Sequence, residues 1–199
     1  MYNETVYVGS YGRNLYALNT SSGKKKWSFN TNGSVVFAPT ASNGTVFYPT
    51  LGHRLYALTT RTGDDVWTFS SKEVDSATKG SPTSPVVHNG LVYIGSSDGN
   101  VYALSTRSGE VVWNFEASKY QGIYSSPIVV QDTLYIGSHD NRTYALNATT
   151  GELKWSYNIG SAVSTYASPA FANGTLYVVA NDGYIYALNT TAAREQHAE

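Results

Sequence analysis

Val101-Tyr102-Ala103-Leu104-Ser105-Thr106-Arg107-Ser108-Gly109-Glu110-Val111-Val112-Trp113 is one statement of a theme that runs through all 199 residues. Its Tyr-Ala-Leu core recurs at Tyr16, Tyr56, Tyr144 and Tyr186, so successive copies are 40, 46, 42 and 42 residues apart. Tryptophan keeps the same beat at Trp27, Trp67, Trp113 and Trp155, each eleven residues after the tyrosine of its copy. A period near forty residues marks a supersecondary unit, copied because one unit alone cannot bury its apolar faces.

Working outward, the same copy begins with Ser84-Pro85-Val86-Val87-His88 and the turn Asn89-Gly90. Leu91-Val92-Tyr93-Ile94-Gly95 follows, and Asp98-Gly99 then leads into the quoted stretch. Short β-rich runs separated by turn dipeptides read as a four-stranded antiparallel meander. Asn43-Gly44, Asn89-Gly90 and Asn173-Gly174 suit type I′ turns between first and second strands, with Gln131-Asp132 the one departure. Between second and third strands stand Gly12-Arg13, Gly52-His53, Asp98-Gly99, Asp140-Asn141 and Asp182-Gly183, which predict two-residue hairpins of type II′ or I′. The second and third strands are continuous apolar runs, as expected when both faces are covered. The fourth alternates, as in Lys25-Lys26-Trp27-Ser28-Phe29, which suits an outer edge.

Four-stranded antiparallel sheets covered on both faces and repeated in series stack radially, as the blades of a β-propeller. The chain is therefore expected to be all-β, with repeat units spanning about 5–30, 34–70, 82–116, 124–158 and 165–190, and a polar tail over 191–199. The first and last units are incomplete, because the chain opens on a second strand and stops after a third. This predicts an open arc or a piece of a larger ring; the alternative is a closed five-bladed toroid.

Ala17, Gly23 and Trp27 resemble the tryptophan-docking motif of the pyrroloquinoline-quinone (PQQ) repeat family, and the pattern returns as Ala57-Gly63-Trp67, Ala103-Gly109-Trp113 and Ala145-Gly151-Trp155. Its mechanics follow from size: a small Ala leaves a slot, Gly permits a tight connection, and the indole fills the gap between blades. The family's Asp is replaced by Asn19, Thr59, Ser105, Asn147 and Asn189, each able to close a side-chain-to-backbone turn. In the fifth unit Ala193 and His197 stand where Gly and Trp should be. The resemblance implies an eight-bladed parent ring. It also implies kinship with quinoprotein dehydrogenases and with the periplasmic lipoprotein of outer-membrane barrel assembly.

Charged residues are only 14% of the chain and sum to a net charge of −1, so no basic field attracts nucleic acid. There is no cysteine for disulfides or thiolate chemistry, and no apolar run is long enough to cross a bilayer. Catalytic patterns are missing: all four tryptophans are spoken for by docking, the carboxylates Asp64, Asp65, Glu110 and Glu152 sit at the start of edge strands, and His53, His88 and His139 lie in or beside turns. The serines before Pro85, Pro127 and Pro169 repeat, which ties them to blade architecture. Candidate binding residues lie on connections between blades: Lys72, Glu73, Asp75 and Lys79 in the one long insertion, and Tyr120, Tyr124 and Tyr166 in its shorter equivalents.

Eight Asn-x-Ser/Thr sequons begin at Asn3, Asn19, Asn32, Asn43, Asn141, Asn147, Asn173 and Asn189. With 15 asparagines and 44 serines plus threonines in the chain, chance supplies about three. Asn19, Asn147 and Asn189 are the telling ones, since they turn a motif Asp into a glycosylation acceptor. The expectation is a non-catalytic extracytoplasmic scaffold, at the periplasm or cell surface, that binds a protein or small ligand, needs no cofactor or metal, and self-associates through open blade edges. The alternatives are a fragment of a PQQ- and calcium-dependent dehydrogenase, or the sensor domain of a membrane-bound kinase.

Overall fold

Each Tyr-Ala-Leu lies in the third strand of its unit, and in the first four units hydrogen bonds on both sides hold it inside a sheet, while the fifth copy pairs on one side only among the described residues. The computed structural model describes residues 1–71, 82–161 and 167–190. They form five antiparallel sheets in series. The first is β1 (Thr5–Gly9), β2 (Asn14–Asn19) and β3 (Lys25–Asn30). The second is β4 (Thr40–Ser42), β5 (Thr45–Thr50), β6 (Arg54–Thr59) and β7 (Asp65–Ser70). The third is β8 (Val86–His88), β9 (Leu91–Gly95), β10 (Asn100–Ser105) and β11 (Val111–Glu116). The fourth is β12 (Ile128–Val130), β13 (Thr133–Gly137), β14 (Arg142–Asn147) and β15 (Leu153–Asn158). The last is β16 (Ala170–Ala172), β17 (Thr175–Val179) and β18 (Ile185–Asn189). The expected meander is present in every sheet, with three strands in the first and last and four in those between.

Two details correct the strand and turn assignments read from the sequence. The first strand of a unit is only three residues long, so Ser84 and Pro85 precede β8 instead of belonging to it. The second-to-third-strand hairpins are three-residue loops, not two-residue ones. In the first sheet the amide of Arg13 donates to Ser10 O while the amide of Ser10 donates to Asn14 O. Only the last loop residue has positive φ, at Arg13, His53, Gly99, Asn141 and Gly183. That is a three-residue hairpin closed by a left-handed residue, and the apparent Gly-first or Asp-first pairs had concealed the residue before them. The first-to-second turns are type I′ as expected, with positive φ at both members of Asn43-Gly44, Asn89-Gly90 and Asn173-Gly174.

Every third-to-fourth strand pairing contains a bulge just after the alanine, as between Ala103 and Leu104, where Ala103 opposes Trp113 but Leu104 opposes Val111. One extra residue twists the edge strand and re-aims its side chains. The indole thus lies beside Ala on the face that meets the next sheet. Four apolar clusters result, one between each pair of neighbouring sheets. No cluster joins the last sheet to the first. Val8 on the outer face of the first and Tyr177, Val179 and Ile185 on the outer face of the last are exposed. The described residues therefore form an open partial propeller, and the closed five-bladed toroid is set aside because it would bury those side chains.

Candidate functional site

The docking motif is split between neighbours. Gly23 has nothing within 4 Å of where its Cβ would be, whereas a Cβ on Gly63 would lie 2.7 Å from the Trp27 ring, on Gly109 2.6 Å from Trp67, and on Gly151 2.7 Å from Trp113. Each ring lies on the glycine of the following unit, not its own. Glycine is needed there twice over, for the close approach and for a φ of +73 to +77°. The indole N–H of Trp27 donates to Thr60 O, of Trp67 to Thr106 O and of Trp113 to Ala148 O, each at 3.0 Å. A buried indole is thus both packed and satisfied, which fixes the azimuth between successive blades. Tyr93 donates to the same Ala148 carbonyl at 3.0 Å, and burial pushes its phenol up to about 12.

The residues replacing the motif Asp cap the turn on which this rests. Asn19 Oδ1 accepts from the amides of Ser21 and Ser22 at 3.1 and 2.9 Å, and Asn147 Oδ1 from Thr149 and Thr150 at 2.8 and 3.2 Å. Ser105 Oγ does the same for Arg107 and Ser108. Along the inner rim the amide of Ala38 donates to Ser84 Oγ and that of Ser84 to Ser126 Oγ, both at 3.1 Å. The repeated Ser-Pro serines are a blade-to-blade ladder.

The described connections between blades and the three-residue hairpins share one face. There the amide of Thr31 donates to Arg13 O and that of Val35 to Ser10 O, while the amide of Leu51 donates to Ser34 O. One linker is thereby stapled to the hairpins of both sheets it joins. The linker carrying Ile123 repeats the pattern, from its amide to Ser96 O and from the His139 amide to Gly122 O. Val35 and Ile123 are buried plugs seated against Gly9 and Gly95. Such fixed loops present side chains at little ordering cost on binding.

Two apolar features are displayed on this face. A groove of about 470 Å³ is lined by Tyr11, Val36, Phe37, Ala38, Leu51 and Ser84, with Tyr11 81% exposed. Farther along the arc Tyr124 meets His139 edge to face, with ring centroids 4.7 Å apart, and Tyr120, in the same linker as Tyr124, is 91% exposed. Desolvation lowers the His139 pKa and favours the neutral ring. Of the residues singled out in the sequence, Tyr120 and Tyr124 are on this face. Lys72, Glu73, Asp75, Lys79 and Tyr166 lie outside the described residues. The groove was missed in the sequence; its signal was the exchange of polar hairpin residues, such as Ser97 and Asn181, for Tyr11 and Leu51 in the first two units.

For PQQ with calcium the described residues are a poor fit. No three His, Cys, Asp or Glu side chains among them converge as a set of metal ligands. The buried Asp98 is engaged by Tyr102 Oη at 2.7 Å and by the Asn100 amide at 2.9 Å, inside its own hairpin. The Trp27, Trp67 and Trp113 rings are each 9% exposed, lie with one face on a glycine and have their N–H groups bonded, so none of the three offers a free plane to a quinone.

Comparison with known proteins agrees with the geometry. BamB from Moraxella catarrhalis superposes with a TM-score of 0.82 at 21% identity, over 96% of this chain and 59% of that one. A europium-containing methanol dehydrogenase gives 0.82 at 17% identity, over 96% of this chain and 48% of that one. The computationally designed Ika8 protein gives 0.81 at 16%, covering 95% and 56%. This chain thus spans less than two thirds of each of these structures, and the likeness is one of fold. A search of curated protein sequences returns no match. The family described as Outer membrane protein assembly factor BamB matches over residues 2–122 and again over 116–199. With its sequence matched nearly end to end and its tryptophans docked blade to blade, the chain belongs to this family of PQQ-like β-propellers.

Proposed function

We propose that the chain is a non-catalytic scaffold acting outside the cytoplasm, and that its hairpin-and-linker face binds a protein or small ligand. The observation that carries this reading is the apolar groove at Tyr11, Val36, Phe37 and Leu51, built from hydrogen-bonded hairpins and a linker and set on blades whose indoles Trp27, Trp67 and Trp113 are consumed in packing. Exposed apolar patches rimmed by polar groups are what interaction surfaces display. Kinship with an outer membrane assembly factor supports a protein partner, and the excess of sequons supports an extracytoplasmic address. Among the described residues no helix is long and apolar enough to cross a membrane. The exposed faces of the first and last sheets favour self-association, since each is half of an interface that the chain already makes internally.

The test is a capture from the cell-envelope fraction with the immobilised full chain, beside the doubly substituted Tyr11→Asp, Leu51→Asp chain. A partner retained by the first and lost by the second, at equal thermal midpoint, is expected; partners indifferent to both substitutions overturn the groove as the site. The likeness to methanol dehydrogenase makes the dehydrogenase fragment the competing reading. Saturable quenching of tryptophan fluorescence by PQQ and Ca²⁺ at micromolar concentration supports that competitor, and no response supports the scaffold.

A further inference from the structure

The third-to-fourth-strand turns lie on the face opposite the binding loops. Thr20 and Ala148, which enter these turns, are tied to the first-to-second turns by amide bonds to Glu4 O and Asp132 O. Two of the eight sequons occupy these turns, and the structure separates them from the rest. In Asn19-Thr20-Ser21 and Asn147-Ala148-Thr149 the carboxamide oxygen is held by the amides of the third and fourth residues. That fixes the side chain and leaves Nδ2 as its free end. Neither Nδ2 nor the hydroxyl of Ser21 or Thr149 makes a hydrogen bond among the described residues, and both hydroxyl residues are exposed. A sequon is read through its asparagine and its hydroxyl together, so both must be reachable at once.

In three of the other sequons the hydroxyl is buried or engaged. Thr5 of the Asn3 sequon is buried, and its hydroxyl donates to Asn3 O and accepts from Lys26 Nζ. Thr143 of the Asn141 sequon is fully buried. Ser34 of the Asn32 sequon donates to Tyr11 O. Asn43 and Asn173 are exposed at the corners of type I′ hairpins, but no hydrogen bond among the described residues fixes their carboxamides, and their Thr45 and Thr175 are half-buried in strands. The Asn189 sequon runs into residues outside those described.

We propose that Asn19 and Asn147 are N-glycan attachment sites, placed so that the sugars project from the face opposite the binding loops. The donor is a lipid-(pyro)phosphate-linked saccharide delivered by a transferase. A bond forms from Nδ2 to the anomeric carbon, the anomeric carbon–oxygen bond to the lipid phosphate breaks, and Nδ2 loses one proton. This inference rests on the extracytoplasmic reading, because such donors are used on that side of the membrane. The cap uses Oδ1 alone, so aspartate, the residue the repeat family itself places here, keeps the cap and removes the acceptor nitrogen.

The experiment is peptide mapping by mass spectrometry of the full chain recovered from the envelope and cytoplasmic fractions of the cells that make it, beside Asn19→Asp and Asn147→Asp. Saccharide mass increments on the Asn19 and Asn147 peptides, each abolished by its own substitution with the thermal midpoint unchanged, are the expected result. Envelope protein with both asparagines bare, or sugar confined to Asn43 or Asn173, overturns the assignment and leaves the scaffold reading standing. Recovery from the cytoplasm alone overturns the extracytoplasmic reading and this inference with it.

Discussion

The three inner sheets and the two end sheets carry the same motif in different surroundings. Tyr135 and Ala145 of the fourth sheet are 5% and 0% exposed, pressed against the last sheet; their counterparts in that sheet, Tyr177 and Ala187, have no further sheet beside them among the described residues, and Tyr177 is 40% exposed. Leu58, Leu104 and Leu146 are fully buried, while Leu18 in the first sheet is only partly covered. Gly109 lies under an indole, and Gly23, at the same place in the repeat, lies under nothing. A blade of this kind is therefore half of two interfaces more than it is a unit of structure. Its residues acquire their energetic weight from the sheet beside them, as in any one-dimensional array.

That contrast can be broken most forcefully at Trp113. Replacing it with Ala removes a 9%-exposed indole from between the third and fourth sheets and one of the two side-chain hydrogen bonds that the Ala148 carbonyl accepts. The expected loss is about 3–5 kcal/mol in denaturant unfolding. A loss below about half a kcal/mol contradicts the docking role of the ring, since surface substitutions stay within that range. Gly109→Ala and Gly23→Ala sharpen the same point at smaller scale. Both meet a left-handed φ, at a cost of about 1–2 kcal/mol, but only the first also strikes a ring. The inner substitution should lower the melting temperature clearly more than the outer, and equal shifts would mean that the indole yields freely. At the end sheet the effect should appear in assembly, not folding. Tyr177→Lys with Ile185→Lys is expected to lower self-association in analytical ultracentrifugation while leaving the thermal midpoint nearly unchanged, because neither side chain is buried in the single chain.

The smallest effect concerns pH. Desolvation beside Tyr124 lowers the His139 pKa in the folded chain, whereas the unfolded chain holds its proton up to about 6.5. Below that value the unfolded state binds more protons, so stability declines as pH falls toward the folded pKa, and the loss is complete beneath it. His139→Gln should flatten that part of the profile of melting temperature against pH, and an unchanged slope assigns the acid sensitivity elsewhere.

The strand inventory was legible because Val-Tyr-Ala-Leu and its copies are continuous apolar runs between turn residues, and such runs need cover on both faces. The three-residue hairpins were not, because Asp98-Gly99 satisfies the two-residue rule in sequence, and only the amide bond from Gly99 to Ser96 O reveals the longer loop. The loop-face tyrosines were found from their place in the connections. The Tyr11 and Leu51 groove was not, because it joins residues from two hairpins with a linker that no local pattern ties to them.

Periodicity alone determined that the chain folds as repeated four-stranded sheets with tryptophan at their seams, since hydrophobic spacing and turn chemistry are local and are written into every copy. Which glycine lies beneath which indole, and which faces remain open, were decided only by tertiary structure. Each contact joins residues from different copies, and a repeated sequence states its parts identically whether a neighbour stands beside them or water does.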